Sequence, residues 1–150
     1  MSHTLLPRLA IAALAGDAGK TLVSLGITAA LRRRGVRVAP FKKGPDYIDA
    51  AWLGVAAGRP AHHLDSFLMP DAGVLTALVR GSAGADLALI EGNRGLFDGA
   101  DERGTHSTAA LARRVGAPIL LVVDATKATR SLAALVLGCR ALDPGAPLAG

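Results

Sequence analysis

Cysteine and aromatic side chains are scarce in this 150-residue sequence. The single cysteine, Cys139, has no partner for an internal disulfide and no CxxC neighbour for zinc, so neither an oxidising compartment nor a metal–cysteine site is indicated. Aromatic residues make up only 3% of the chain, which leaves few of the stacking platforms that single-strand nucleic-acid binders use.

Long hydrophobic segments are also missing. No apolar run approaches the roughly 18 residues that are needed to cross a bilayer. Residues 1–7 lack the basic start, the apolar stretch and the cleavage site of a secretory signal. We therefore expect a cytoplasmic protein without a membrane partner, of a length that suits one domain with its own core.

Charge of both signs is present, with a net charge of +5 and a pI near 10.1. Such a balance is compatible with a nucleic-acid partner, because polyanions attract clustered lysine and arginine. The densest basic run, residues 32–34, falls in the last turn of a predicted helix, where cations complement the helix dipole. We interpret it as a solvated helix end and expect no nucleic-acid partner.

Apolar segments alternate with helical segments along the chain. We predict strands over residues 9–15, 36–41, 87–90 and 119–123, and helices over residues 20–34, 71–80, 107–115 and 129–141. This alternation indicates an α/β fold with a mostly parallel sheet covered by helices on both faces. Residues 42–69, with Pro45, Pro60 and several glycines, are interpreted as a long irregular loop.

The predicted strands end at polar residues, and ligands of such sheets bind at the carboxyl ends of the strands. Those ends carry Gly16, Lys42, Glu91 and Asp124. Residues 148–150 resemble the opening of a further strand, so we expect a single domain over residues 1–150 whose sheet is incomplete at the C-terminus.

The strongest chemical signal is the sequence GDAGKT at residues 16–21, between the first predicted strand and the first helix. Small residues let backbone amides cradle phosphate oxygens, and the helix N-terminus adds partial positive charge. Lys20 is predicted to reach the β- and γ-phosphates, and the Thr21 hydroxyl to coordinate Mg²⁺. The strict pattern has glycine where this chain has Leu14. The residues that we assign to the nucleotide, expected to be ATP, are Gly16, Asp17, Ala18, Gly19, Lys20, Thr21 and Leu22.

A carboxylate is expected beside the metal, because Mg²⁺ is usually held by one or two protein oxygens together with phosphates. Glu91 is the best candidate, since it ends an apolar strand at the same rim as the phosphate loop. Two further segments, KKGPDYID at residues 42–49 and GNRGLFDG at residues 92–99, suit phosphate, metal, an anionic substrate or a solvated turn equally well. In the second of them Arg94 is a candidate anion clamp.

The histidines and the cysteine carry weaker signals. His62 and His63 are adjacent and lack metal-ligand spacing, so they are interpreted as surface residues. His106 lies in a predicted helix-start segment, with a ligand role at the rim as the alternative. Cys139 lies within an apolar helix and is interpreted as a core residue.

Several motifs in this order resemble one family over essentially the whole chain. They are ALAGDAGKT (13–21), FKKGPDYID (41–49), LD (64–65), EGNRGLFDG (91–99) and STA (107–109). The set is similar to the N-terminal synthetase domain of cobyrinic acid a,c-diamide synthases. The resemblance implies a P-loop NTPase fold like that of dethiobiotin synthetase, with ATP and Mg²⁺ as cofactors.

The same resemblance implies an amidoligase that activates a carboxylate of a tetrapyrrole as an acyl phosphate, which ammonia then converts to an amide. By matching position it assigns catalytic roles to Lys20, Asp46, Asp49 and Asp98. It assigns the metal to Thr21, Glu91 and Asp46, and the substrate to Lys42, Tyr47 and Arg94. Asp65 is a less specific match.

Some segments depart from the cobalamin pattern. The sequences EGNRG (91–95), GTHST (104–108) and DATKATR (124–130) resemble the branch that amidates sirohaem. The family's glutaminase domain has no counterpart in these residues, so the ammonia is expected to come free or from a glutaminase domain or subunit, and a homodimer is a possible assembly. Two alternatives stay open, a partitioning-type P-loop ATPase, which usually has lysine where this chain has Ala15, and a non-catalytic nucleotide-binding module.

Overall fold

A computed structural model describes residues 6–150, so residues 1–5 of the segment considered for a secretory signal lie outside it. The strands are β1 (Arg8–Ala13), β2 (Val38–Lys43), β3 (His62–Leu64), β4 (Leu87–Glu91) and β5 (Ile119–Val122). The helices are α1 (Lys20–Arg33), α2 (Tyr47–Ala57), α3 (Asp71–Gly81), α4 (Thr108–Val115) and α5 (Ser131–Leu142). No helix within residues 6–150 is both long and apolar enough to span a membrane.

The five strands form one parallel sheet in the order β3-β2-β4-β1-β5. Successive residues of β1 point to opposite faces, so Ala10 and Ala12 join one apolar cluster and Ile11 joins the other. Helix α1 covers the Ile11 face, whereas α3 and α4 pack on the Ala10 face. The predicted α/β fold, with a parallel sheet and helices on both faces, is confirmed.

The expectation of an irregular loop over residues 42–69 is wrong. This region contains the end of β2, the whole of α2 and the edge strand β3. The Asp46 side chain caps α2 by accepting from the backbone N–H groups of Ile48 and Asp49, and Gly58 ends the helix in a left-handed conformation with φ of 68°. These local start and stop signals outweigh the prolines, which lie outside the helix.

The other predicted boundaries differ less. Strand β2 begins at Val38 rather than residue 36 and runs on through Lys43, so Lys42 belongs to the strand and not to a loop. Leu148, in the segment expected to open another strand, forms a single parallel bridge with Ile119. Cys139 is buried with the Ala10 cluster, as predicted.

Two glycines test how backbone conformation sets local stability. A Cβ built on Gly26 or on Gly35 meets no atom within 4 Å, but Gly26 lies inside α1 and Gly35 has φ of +81°. Gly26→Ala is expected to raise the free energy of unfolding by about 0.5–1 kcal/mol. Gly35→Ala is expected to lower it by about 1–2 kcal/mol, because an L side chain is strained at that φ. Urea unfolding of both variants checks the opposite signs, and a loss in Gly26→Ala contradicts the reasoning.

Candidate nucleotide and metal site

The loop between β1 and α1 has the geometry of an anion-binding loop. Asp17 and Gly19 have positive φ angles of 52° and 88°, and Gly19 is the N-cap of α1. The helix has no side-chain cap hydrogen bond and no acidic residue in its first turn, unlike α2, whose first N–H groups are taken by Asp46. The N–H groups at the start of α1 are therefore available to phosphate oxygens.

Lys20 is the first residue of α1, directly after this loop, and is buried. Its Nζ donates a hydrogen bond to the backbone oxygen of Ala15 at 2.9 Å, so the side chain folds back over the loop. Burial, and next the ammonium of Lys42, lower the pKa of Lys20 below its ordinary value. A buried ammonium with a carbonyl as its hydrogen-bond partner is ready to exchange that partner for a phosphate oxygen.

A second group of charges lies beside the phosphate loop. The Lys42 ammonium lies 2.6 Å from Asp49 Oδ2 and 2.8 Å from Glu91 Oε1. The Thr21 hydroxyl lies 2.7 Å from the same Glu91 oxygen and 3.4 Å from Asp49 Oδ2. We call Thr21, Lys42, Asp49 and Glu91 the carboxylate cluster.

Three elements of the fold bring the cluster together. Lys42 and Glu91 are register partners on the adjacent strands β2 and β4. Asp49 comes from the first turn of α2, whose start is fixed by the Asp46 cap, and Thr21 comes from the first turn of α1. The site therefore depends on strand register and on helix capping as well as on the phosphate loop.

The electrostatics of the cluster favour its charged form. Burial opposes the charge of Lys42, but its hydrogen bonds to Asp49 and Glu91 outweigh that effect and raise its pKa. Burial likewise opposes the charge of Asp49, and the hydrogen bond from Lys42 outweighs it and lowers the pKa of this carboxyl. The ammonium and the carboxylate are thus both charged near neutral pH.

A cavity of about 370 Å³ joins the loop to the cluster. The residues that line it are Gly16, Asp17, Gly19, Lys20, Thr21, Lys42, Asp46, Asp49, Asn93 and Arg94. A neighbouring cavity of about 380 Å³ shares Asn93 and Arg94 and contains Asp98, Phe67 and His106. Two adjoining cavities at the carboxyl edge of the sheet suit a reaction between two ligands.

The donor set fits a divalent cation. Glu91 is fully buried, and its Oε2 has no hydrogen-bond partner among the described residues, which is costly for a carboxylate oxygen unless a cation or water faces it. Residues 6–150 hold no group of three or more His, Cys, Asp or Glu side chains arranged for a metal. A Mg²⁺ ion here would therefore combine Glu91, Asp49 and the Thr21 hydroxyl with phosphate oxygens, the mixed coordination that Mg²⁺ prefers.

The other predicted site residues are not members of the carboxylate cluster. Asp46, predicted as a metal ligand, lines the first cavity but uses Oδ1 to cap α2. Asp98, predicted as catalytic, lines the second cavity and accepts a hydrogen bond from the Gly95 N–H at 3.1 Å. Tyr47 and Leu22 are 75% and 76% exposed. Ala18 is half-buried in the loop.

Sequence reasoning overlooked some residues of the site. Asn93 lines both cavities, and its only signal was membership of the 91–99 motif. Phe67 lies edge-on to His106 with ring centroids 5.6 Å apart, and the His106 ring nitrogen lies 3.0 Å from the Ser66 hydroxyl. His106 directly precedes the Ser107 cap of α4, as predicted, and also lines the second cavity, so its ligand role stays a prediction. His63 contacts the Gly44 carbonyl oxygen at 2.8 Å. The contact across 40 residues between Ser66 and His106 has no sequence signal.

Comparison with known proteins gives matches over almost the whole chain. A cobyrinate a,c-diamide synthase from Magnetococcus marinus is 55% identical over 133 residues, covering 89% of this chain and 28% of that protein. One from Syntrophotalea carbinolica is 50% identical over 96% of this chain and 32% of its own length. A hydrogenobyrinate a,c-diamide synthase from Streptomyces coelicolor is 44% identical over 99% of this chain and 31% of its own length. The chain spans about a third of the length of these curated relatives.

These relatives confirm the resemblance carried by the motifs at residues 13–21, 41–49 and 91–99. The family model of the CobQ/CobB/MinD/ParA nucleotide binding domain matches residues 9–148, which include the phosphate loop and the whole carboxylate cluster. From the fold, the loop and this match, the chain belongs to the CobQ/CobB/MinD/ParA nucleotide-binding domain family.

Proposed function

We propose that this chain is the ATP-binding synthetase part of an amidoligase that converts acetate side-chain carboxylates of a tetrapyrrole to amides. The observation that carries the proposal is the carboxylate cluster next to the phosphate loop, in a chain whose similar proteins are named cobyrinate and hydrogenobyrinate a,c-diamide synthases. The nucleotide is ATP, and the divalent ion is Mg²⁺, which supplies charge neutralisation at the phosphates.

The chemistry explains why no protein nucleophile is needed. A substrate carboxylate oxygen attacks the γ-phosphorus of ATP, the bond to the β-phosphate oxygen breaks, and ADP leaves. Ammonia then attacks the carbonyl carbon of the acyl phosphate, loses a proton and expels phosphate, which leaves the amide. Phosphoryl transfer of this kind depends on positioning and on charge neutralisation, and we assign both roles to Lys20.

The second cavity is the proposed position of the tetrapyrrole edge that carries the reacting carboxylate. It adjoins the nucleotide cavity through Asn93 and Arg94, so a substrate there lies next to the γ-phosphate end of the loop. Phe67 and Leu68, which line it, are 68% and 66% exposed and offer apolar contact to a macrocycle. Arg94 and Lys43 offer cations to its carboxylates.

The test is a reaction of the purified chain with ATP, Mg²⁺ and ammonium in the presence of cobyrinic or hydrogenobyrinic acid. We expect release of ADP that depends on the macrocycle, together with the mass change of a carboxyl converted to an amide. Sirohaem in a parallel reaction tests the branch that segments 91–95, 104–108 and 124–130 resemble. A response to sirohaem alone would reassign the substrate within the same reaction class.

Two other outcomes would contradict the amidoligase proposal. ATP hydrolysis that DNA stimulates and tetrapyrroles do not would favour the partitioning-type ATPase. Nucleotide binding without turnover, also when a glutaminase domain or subunit is supplied with glutamine, would favour a non-catalytic module. Sedimentation of the same preparation with and without ATP tests whether the chain forms the homodimer that the sequence analysis considers.

A further inference from the structure

The Lys42 ammonium occupies the position in the carboxylate cluster where a metal ion would bind. Its ammonium bonds Asp49 Oδ2 and Glu91 Oε1 and lies 3.3 Å from the Gly92 carbonyl oxygen. An ammonium has three donors, so these contacts use all of them. The side chain is only 3% exposed, and Lys42 is among the largest fully buried side chains of the described residues.

The oxygens around the ammonium are those that a divalent cation needs. Thr21 Oγ1, Asp49 Oδ2 and Glu91 Oε1 converge within hydrogen-bond distance of one another or of Lys42 Nζ. Two cations repel each other strongly at separations of about 4 Å inside a protein, so Mg²⁺ and the Lys42 ammonium cannot both contact these oxygens. An ammonium and Mg²⁺ therefore exclude each other from this point.

The ammonium balances the carboxylates incompletely. The Lys42 ammonium is the one cation in direct contact with the two carboxylates, with the Lys20 ammonium as the next charge, and Glu91 Oε2 stays without a partner among the described residues. A divalent ion that arrives with phosphates gives the second charge and the additional coordination. Phosphates also give the displaced ammonium a new partner, which a free ion does not, so we expect exchange with a metal–nucleotide complex and not with the ion by itself.

We propose that Lys42 is a positioning residue that holds the metal site in place of the ion. It keeps Asp49 and Glu91 together without nucleotide, and its ammonium leaves them for the phosphates in the first cavity, which Lys42 lines, when the metal–nucleotide complex binds. The metal then enters with the nucleotide rather than before it. This inference rests on the proposed function, because it takes the ligand of the first cavity to be a metal–nucleotide complex.

The first experiment measures metal binding to the protein in the absence of nucleotide. Lys42→Met removes the cation and leaves two carboxylates facing each other, so we expect a lower melting temperature that Mg²⁺ restores. The wild type is expected to show no such response at the same concentrations. Titration with Mn²⁺ followed by EPR is expected to give at least about tenfold tighter binding in Lys42→Met than in the wild type.

Lys43→Met is the matched control. It removes an equal charge from the next residue of β2, whose side chain lines the other cavity. A merely structural role of Lys42 predicts a melting temperature that Mg²⁺ leaves unchanged, as in the control. Equal Mn²⁺ affinity of the wild type and Lys42→Met overturns the inference.

The second experiment uses the wild type and holds even where Lys42→Met does not fold. A crystal structure with Mg²⁺ and a non-hydrolysable ATP analogue is expected to show Lys42 Nζ out of hydrogen-bond reach of Asp49 Oδ2 and Glu91 Oε1. Metal and nucleotide bound with the ammonium still between the two carboxylates would refute this inference alone. Failure of the nucleotide to bind would refute the proposed function as well.

Discussion

Lys20→Ala is expected to lower ATP affinity by about 100-fold and to abolish ATP turnover. A charge-assisted hydrogen bond contributes about 1.5–3 kcal/mol, and the buried lysine makes such bonds to more than one phosphate oxygen in the proposed complex. Its position supports this magnitude, because Lys20 is 7% exposed and already bonds the loop carbonyl of Ala15. Fluorescence titration with a labelled ATP analogue and an ADP-release assay measure the two effects.

Arg33→Ala gives the control for net charge. It removes one positive charge from the exposed C-terminal end of the same helix, about 20 Å from Lys20 at 1.5 Å per residue. We expect this variant to bind the analogue like the wild type, and both variants to unfold cooperatively. Unchanged affinity and turnover in a folded Lys20→Ala protein would remove the basis of the proposed function.

Gly99→Ala is expected to be the most destabilising glycine substitution at the site. A Cβ at this position lies 2.6 Å from the backbone carbon of Gly104 and closer still to the backbone oxygen of Thr105. Backbone atoms cannot rotate away as a side chain does, and Thr105 O also accepts the hydrogen bond of the Ala100 N–H at 2.7 Å. We expect a loss of about 3 kcal/mol or more in the free energy of unfolding.

The Gly99→Ala substitution is expected to disturb α4 and the second cavity as well as the loop. Residues 99–107 lead directly into α4 through its Ser107 cap and line the second cavity at Gly99, Ala100 and His106. Chemical denaturation measures the stability, and macrocycle binding measures the effect on the cavity. Gly138→Ala is the control, since a Cβ there meets nothing within 4 Å inside α5. A loss below about 1 kcal/mol in Gly99→Ala would contradict the steric argument.

Local signals predicted the strand and helix alternation well where they were strong. The apolar strands β1, β4 and β5 and the helices α1, α3, α4 and α5 lie within a few residues of their predicted bounds. Helix α2 is not predicted, because the prolines and glycines on either side of it are typical of a loop. Its local signals are the Asp46 cap and Gly58 at its end. Both signals are short-range, so a prediction that gives them more weight than overall composition can find this helix.

The phosphate loop was also predictable, because its chemistry is contiguous in residues 16–21 and depends on one strand-to-helix turn. The role of Lys42 was not. In the sequence it stands 7 residues from Asp49 and 49 from Glu91, and as a loop residue it suited phosphate, metal or substrate equally. Its pairing with Glu91 follows from the register of β2 against β4, which no local pattern specifies.

Local sequence patterns predict four of the five strands, the anion-binding loop and the kinds of side chain at the carboxyl edge, because periodicity, turn chemistry and residue type act over a few neighbours. Which of those side chains meet is fixed only when the chain folds. The meeting of Thr21, Lys42, Asp49 and Glu91 depends on strand order, register and the direction of α2. Those are long-range packing choices, so the cation between the carboxylates became visible only in the folded chain.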